Sequence, residues 1–308
     1  MKYIYTLILS ALFPICTSCS SSAEALDLRP TTLSYKTTMD YSPTLITKTL
    51  PTVLDEQSGM AWWQGLIWVI NDSNNAANLY AYDMTGALQR TVTIANAKNI
   101  DWESLAEDDE YLYIGDFGNN RGNRKDLKVI RVQKSLIAHG ETTVDADFIH
   151  FSWADQIDYS GDQELHDYDC EAFFAYKGQL YLFSKDRVDY KTRMYVMSNK
   201  PGNYKLNPVV TIDTQFSVTG ADISSDGKTI VLVGYQNLVN SHLFFIYNLN
   251  DMNWGLAKTL RIHLSSLFAA QTEGIMFDNN NQLFMTTEKT ILASHSLYQI
   301  NWTKLLNQ

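Results

Sequence analysis

The chain has 308 residues, of which 45% are hydrophobic and 19% charged, and a formal net charge of −10. That balance is globular and excludes an intrinsically disordered chain. The acidic charge excludes sequence-independent binding to nucleic acid, which needs a basic surface.

The first element in chain order is a targeting signal. Lys2 precedes an apolar run over residues 3–15, too short to span a bilayer. Cys16-Thr17-Ser18-Cys19 follows, and then Ser20-Ser21-Ser22. Small residues before a Cys, with a Ser-rich stretch after it, resemble a bacterial lipoprotein cleavage site, although Cys16 stands where Leu is usual. The expectation is a signal segment over 1–19, lipidation of Cys19, a tether over 20–44 and a folded domain over 45–308. Such a protein is exported and held at the bacterial cell envelope by its lipid. Cys170 is the one Cys left in the body, so no disulfide forms there, and it reads as a small buried apolar group.

The body repeats one unit five times. Each copy has a short apolar strand, a tight turn, a second apolar strand, a loop and a third strand. The first copy runs 58–63, turns at Gln64-Gly65, and continues over 66–70 and 78–82. The second has 103–106, Asp109-Glu110, 111–115 and 127–132. The third has 171–175, Lys177-Gly178, 179–183 and 193–197. The fourth has 219–223, Asp226-Gly227, 229–233 and 242–247. The fifth has 273–277, Asn279-Asn280-Asn281, 282–286 and 296–300. Gly and Asn sit where a hairpin turn must tolerate positive φ. Fourth strands are predicted at 88–94, 148–153, 209–212 and 260–264. The fifth copy runs out of chain before its own, and residues 45–54 would supply it. Pairing the two ends closes a ring and removes exposed sheet edges. The fold class is therefore all-β, a single five-bladed β-propeller closed by an N-terminal strand. The long interval before the third copy carries an acidic insertion with Asp155, Asp158, Asp162, Glu164 and Asp167.

One column of this alignment is Ser58, Glu103, Glu171, Thr219 and Glu273; two residues earlier stand Glu56, Asp101, Asp169, Ser217 and Gln271. Positions i and i−2 of a strand point the same way, so two polar rings face the central channel. Converging carboxylates raise one another's pKa unless a cation neutralises them. Oxygen ligands without His or Cys suit Ca²⁺ better than Zn²⁺. Solvated acids in a water-filled channel, or acids capping backbone N–H groups between blades, are the other reading. The second strands end on the same face, and with the loops after them they offer Asn71, Asp72, Asp116, Asn119, Arg121, Lys185 and Glu288 as ligand-binding candidates.

The residues Ser58-Gly-Met, Glu103-Ser-Leu-Ala, Gly115-Asp-Phe-Gly, Glu171-Ala-Phe-Phe, Thr219-Gly-Ala-Asp and Thr272-Glu-Gly-Ile resemble the inner-strand pattern of calcium-activated nucleotidases, the soluble apyrases. The likeness implies a central Ca²⁺ with Ser58, Glu103, Glu171, Thr219 and Glu273 around it. The fuller wording, with Asn71-Asp72-Ser73-Asn74-Asn75 and Asp101-Trp102-Glu103, is similar to uncharacterised exported bacterial propellers. A glycosidase on this frame would need two carboxylates at a defined separation, and two further functions stay open. One is an envelope binding module that takes a small molecule or an envelope protein beside its cation. The other is a calcium-dependent phosphohydrolase acting on nucleotides or other phosphate esters, in which the metal orients water and Arg121, Arg124 and Lys185 offset phosphate charge.

Overall fold

A computed structural model describes residues 31–35, 37–161 and 166–307. The signal segment and Cys19 lie outside these. The described chain is a five-bladed β-propeller. Blade 1 holds Gln57–Trp63, Leu66–Asn71, Asn78–Tyr82 and Leu88–Ile94. Blade 2 holds Trp102–Glu107, Tyr111–Asp116, Lys128–Gln133 and Asp147–Trp153. Blade 3 holds Asp169–Tyr176, Gln179–Lys185, Lys191–Ser198 and Val210–Asp213. Blade 4 holds Ser217–Ile223, Thr229–Gln236, Asn240–Tyr247 and Lys258–Phe268. Blade 5 holds Thr272–Phe277, Leu283–Thr287 and Ser296–Ile300, and Thr44–Thr47 pairs antiparallel with the last of these to close the ring. The five inner strands touch in order, and the fifth returns to the first.

The hairpins form where the sequence supplies their turns. Gln64-Gly65 and Lys177-Gly178 both place two successive residues at positive φ, the pattern that matches strand twist. Each blade is buried on both faces, so its second strand is a continuous apolar run rather than an alternating one. In blade 1, Trp68 and Ile70 pack against blade 2, whereas Ile67 and Val69 pack against blade 5. One such core lies between every pair of neighbouring blades. Cys170 is fully buried in the core between blades 2 and 3. Among the described residues no helix is long and apolar enough to cross a membrane.

The outer edges hold strands that were not expected. Blade 1 gains Thr143–Val144 and blade 2 gains Gly202–Leu206, each lent by the next blade and each running parallel. Within the stretch read as a tether, Thr31–Ser34 pairs parallel with blade 3 and Thr38–Asp40 with blade 4. The N-terminal arm therefore runs along the rims of blades 3 and 4 before completing blade 5. These additions cover edges that would otherwise expose unpaired N–H and C=O groups.

Blade 4 carries a buried polar pair with a pH signature. His242 is stacked on Phe216, and its Nε2 lies 3.1 Å from Arg261 Nη2. Burial, and then the Arg261 and His263 charges, push the imidazole down to about 3. The folded state therefore binds fewer protons than the unfolded state below the ordinary His value near 6.5. Stability is lost as pH falls through that value, by at most ~1.4 kcal/mol per unit. The raised carboxylates of the channel act with the opposite sign. Urea unfolding of wild type and His242→Gln at pH 7 and pH 5 isolates the histidine, and the variant is expected to show the smaller loss on acidification.

Candidate metal and ligand site at the channel mouth

Every inner strand carries a β-bulge at the same place. The ladder skips between Ser58 and Met60, Trp102 and Ser104, Cys170 and Ala172, Val218 and Gly220, and Thr272 and Gly274. The skipped residues are Gly59, Glu103, Glu171, Thr219 and Glu273. A bulged residue leaves the ladder and is re-aimed. In blades 2, 3 and 5 this turns a glutamate into the channel. The register also corrects the alignment of blade 1, where the column falls on Gly59 and Gln57 rather than on Ser58 and Glu56. Gly59 has φ +58, and a Cβ there would lie 2.6 Å from Ser104 Cα of blade 2. Blade 1 approaches blade 2 too closely at this point for any side chain.

The glutamates open into a cavity of about 210 Å³ at one mouth of the channel. Six carboxylates line it, from Glu56, Asp72, Glu103, Glu171, Glu273 and Glu288, against the two cations Lys185 and Arg187. The cations stand on one side. Lys185 is ion-paired with Glu171, with side chains 9% and 5% exposed, and its Nζ donates to the Tyr235 hydroxyl at 3.2 Å. Burial alone would lower the ammonium's pKa, but Glu171, Tyr235 and Glu273 outweigh it and hold it well above the usual value. Arg187 pairs with Asp169 at 3.0 Å and donates to Asn120.

The other side is acidic: among the described residues no ion pair reaches Asp72, Asp101 or Glu103, although the Lys185 charge opposes the rise of Asp72 and the Arg124 charge that of Asp101. Ligand oxygens of Asp72, Asp101 and Glu103 lie within 4.8 Å of one another. Glu103 is 6% exposed, and among the described residues its carboxylate receives no hydrogen bond and no ion pair. Burial, and then the charges of Glu171, Asp72, Asp101 and Asp169, push it well above the usual carboxylate range. Burial with Asp72 and Asp169 pushes Asp101 up to about 6. Burial also raises Asp72, although the Ser73 N–H it accepts opposes that. A Cβ at Gly118 would lie 2.5 Å from Asp101 Oδ2 and closer still to Glu103 Oε1, so bare backbone floors this cluster. Three carboxylate oxygens close around one point form a donor set that fits a hard divalent cation such as Ca²⁺.

Ser58, Glu103, Glu171 and Glu273 line the mouth, whereas Thr219 does not. Ser58 and Thr219 are blade clasps: their hydroxyls donate to the carbonyls of Glu103 and Thr272 in the following blades. Asp72, Lys185 and Glu288 also line it, and burial with Asp72 and Glu56 pushes Glu288 up to about 7. Asp116, Asn119 and Asn71 are buried in the scaffold. Asp116 pairs with Arg124 at 2.9 Å and Lys128 at 2.7 Å. The Asn119 N–H donates to Asp169 Oδ1 at 2.7 Å, and Asn71 Nδ2 donates to the Val53 carbonyl at 2.8 Å. Arg121 is exposed. Sequence reasoning missed Arg187 and the pairing of Lys185 with Tyr235. The polar ends of the second strands were the available signal for both.

No protein-family profile matches the chain, and no curated protein does. Among solved structures it is similar to Myxococcus xanthus glutaminyl cyclase, with 11% identity and a TM-score of 0.47 over 89% of this chain and 100% of that one. It is also similar to a Leishmania mexicana mannose phosphorylase in complex with phosphate ion, with 11% identity and a TM-score of 0.46 over 87% of this chain and 91% of that one. At these values no residue role or activity is carried across.

Proposed function

We propose that this propeller is a cation-dependent binding module that holds one hard divalent ion, Ca²⁺, through Asp72, Asp101 and Glu103 and presents a ligand surface beside it. The observation that carries the reading is the convergence of these three carboxylates around a buried Glu103 whose carboxylate receives no hydrogen bond and no ion pair among the described residues. Glu171 and Glu273, expected on the same ion, share the mouth with Lys185, so the reading moves the metal to the blade 1–2 side. The ion would neutralise the cluster and fix blade 1 against blade 2. The N-terminal Cys16-Thr17-Ser18-Cys19 pattern supports placing the module at the cell envelope on a lipid anchor.

The phosphohydrolase alternative has no specific observation in its favour. Arg124 is committed to Asp116 and Asp126, and Lys185 to Glu171. Neither is free to take up phosphate charge, and Arg121, the third cation expected there, is exposed and does not line the mouth.

Calorimetric titration with Ca²⁺ tests the proposal. Wild type should bind one equivalent, and Glu103→Gln should lose the binding. Gly118→Ala should keep the fold, because the atoms it meets are the ends of movable side chains, yet weaken Ca²⁺ about tenfold or more by displacing two ligands. A wild type that shows neither binding heat nor a calcium-dependent rise in Tm would end the reading.

A further inference from the structure

A second cavity of about 830 Å³ opens beside the acidic mouth, between the loops of blades 4 and 5. Its walls carry Leu238, Ile291 and Leu292, which are 62%, 101% and 76% exposed. Three large apolar side chains on one groove make a patch, unlike scattered single ones. The groove shares Glu56, Gln271 and Glu288 with the mouth, so its apolar walls lead onto carboxylates. Lys289, the one cation lining it, is paired with Asp55.

The turn that presents Leu238 adds an independent observation. Asn237 and Leu238 have φ +53 and +59, and the Val239 N–H bonds back to the Gln236 carbonyl at 3.3 Å. This is the pattern of a type I′ hairpin turn, whose preferred pair is Asn-Gly. A leucine at positive φ is strained where glycine would not be. With Leu238 62% exposed, the fold obtains little burial in return. Strain held at an exposed apolar residue points to a role outside the fold.

We propose that this groove docks a peptide segment of a protein partner, with apolar side chains against Leu238, Ile291 and Leu292 and a Lys or Arg reaching Glu288 and Glu56. Charge selects this occupant. The groove ends in carboxylates on a chain of net charge −10, which disfavours acidic segments and anionic lipid surfaces alike. The proposal does not depend on the metal and is tested in EDTA, so that its failure and that of the cation reading are separable.

The experiment is selection of a phage-displayed library of short random peptides on the purified protein, followed by binding of a synthetic consensus peptide to variants. The expected result is enrichment of peptides with a basic residue flanked by apolar ones. Leu238→Gly should keep or raise Tm, because it relieves the turn, while weakening the consensus peptide about tenfold or more, the scale of losing one apolar anchor. Glu288→Gln should weaken it while leaving an apolar control peptide unaffected. Enrichment of acidic peptides, no enrichment, or equal binding by Leu238→Gly would overturn the proposal. So would binding of the wild type to neutral phosphatidylcholine vesicles that Leu238→Gly abolishes, since the loops would then be a membrane contact.

Discussion

Lys185→Met is expected to lower the unfolding free energy by about 3–5 kcal/mol, the cost of stranding one member of a buried ion pair. Lys185 and Glu171 are both nearly inaccessible, and methionine keeps the stem's volume while removing the charge. Glu171 then loses the one group that lowers its pKa most, which already stands at about 7 because of burial. The loss has a definite pH dependence. A carboxyl whose folded pKa is raised costs stability as pH climbs from its unfolded value near 4.3 through the folded one. The deficit should therefore be larger at pH 8 than at pH 5. Urea unfolding at the two pH values checks both size and sign. A loss below about 1 kcal/mol, the range of exposed pairs, would mean that water reaches this side of the mouth.

Gly59→Ala should be nearly as damaging, at about 2–5 kcal/mol. Two costs combine: the left-handed backbone at φ +58, about 1–2 kcal/mol, and overpacking, about 1–3 kcal/mol. The atoms met are backbone, from Ser104 and Leu105 of the neighbouring blade, so relief requires moving a whole inner strand. Because that strand carries Glu103, the same variant should also impair calcium binding. Gly65→Ala is the control: Gly65 also has positive φ, but a Cβ there would meet nothing within 4 Å, so only the backbone cost applies. Thermal unfolding of the two variants side by side separates strain from collision.

The blades were legible because hairpin chemistry is local. Gln64-Gly65, Lys177-Gly178 and Asp226-Gly227 announce turns, and the apolar runs between them announce strands buried on both faces. Ring closure was legible from what blade 5 lacked, although the closing strand is Thr44–Thr47 rather than the whole of 45–54, where Thr52–Leu54 forms a 3-10 helix instead. The outer parallel strands were not, since Thr31–Ser34 finds its partner far along the chain at Val210–Asp213 and carries no turn signal. At the mouth, the two polar columns marked Glu103 and Asp101 correctly as neighbours. In blade 1 the alignment followed side-chain chemistry and chose Ser58, whereas the structural column holds Gly59, a residue that shows its importance only against the adjacent blade. Which acids keep an internal counter-ion was equally hidden. The Lys185–Glu171 pair depends on a cross-strand approach beside a bulge, whereas Asp72 and Glu103 meet across two blades.

The location of the metal is best tested by crystals grown with Mn²⁺, a hard-cation stand-in for Ca²⁺ whose anomalous scattering marks its position. The account predicts a peak bonded to Asp72, Asp101 and Glu103, displaced from the channel axis towards blades 1 and 2. A peak bonded to Glu171 and Glu273 with Lys185 driven aside, or a mouth with no peak at all, would contradict it.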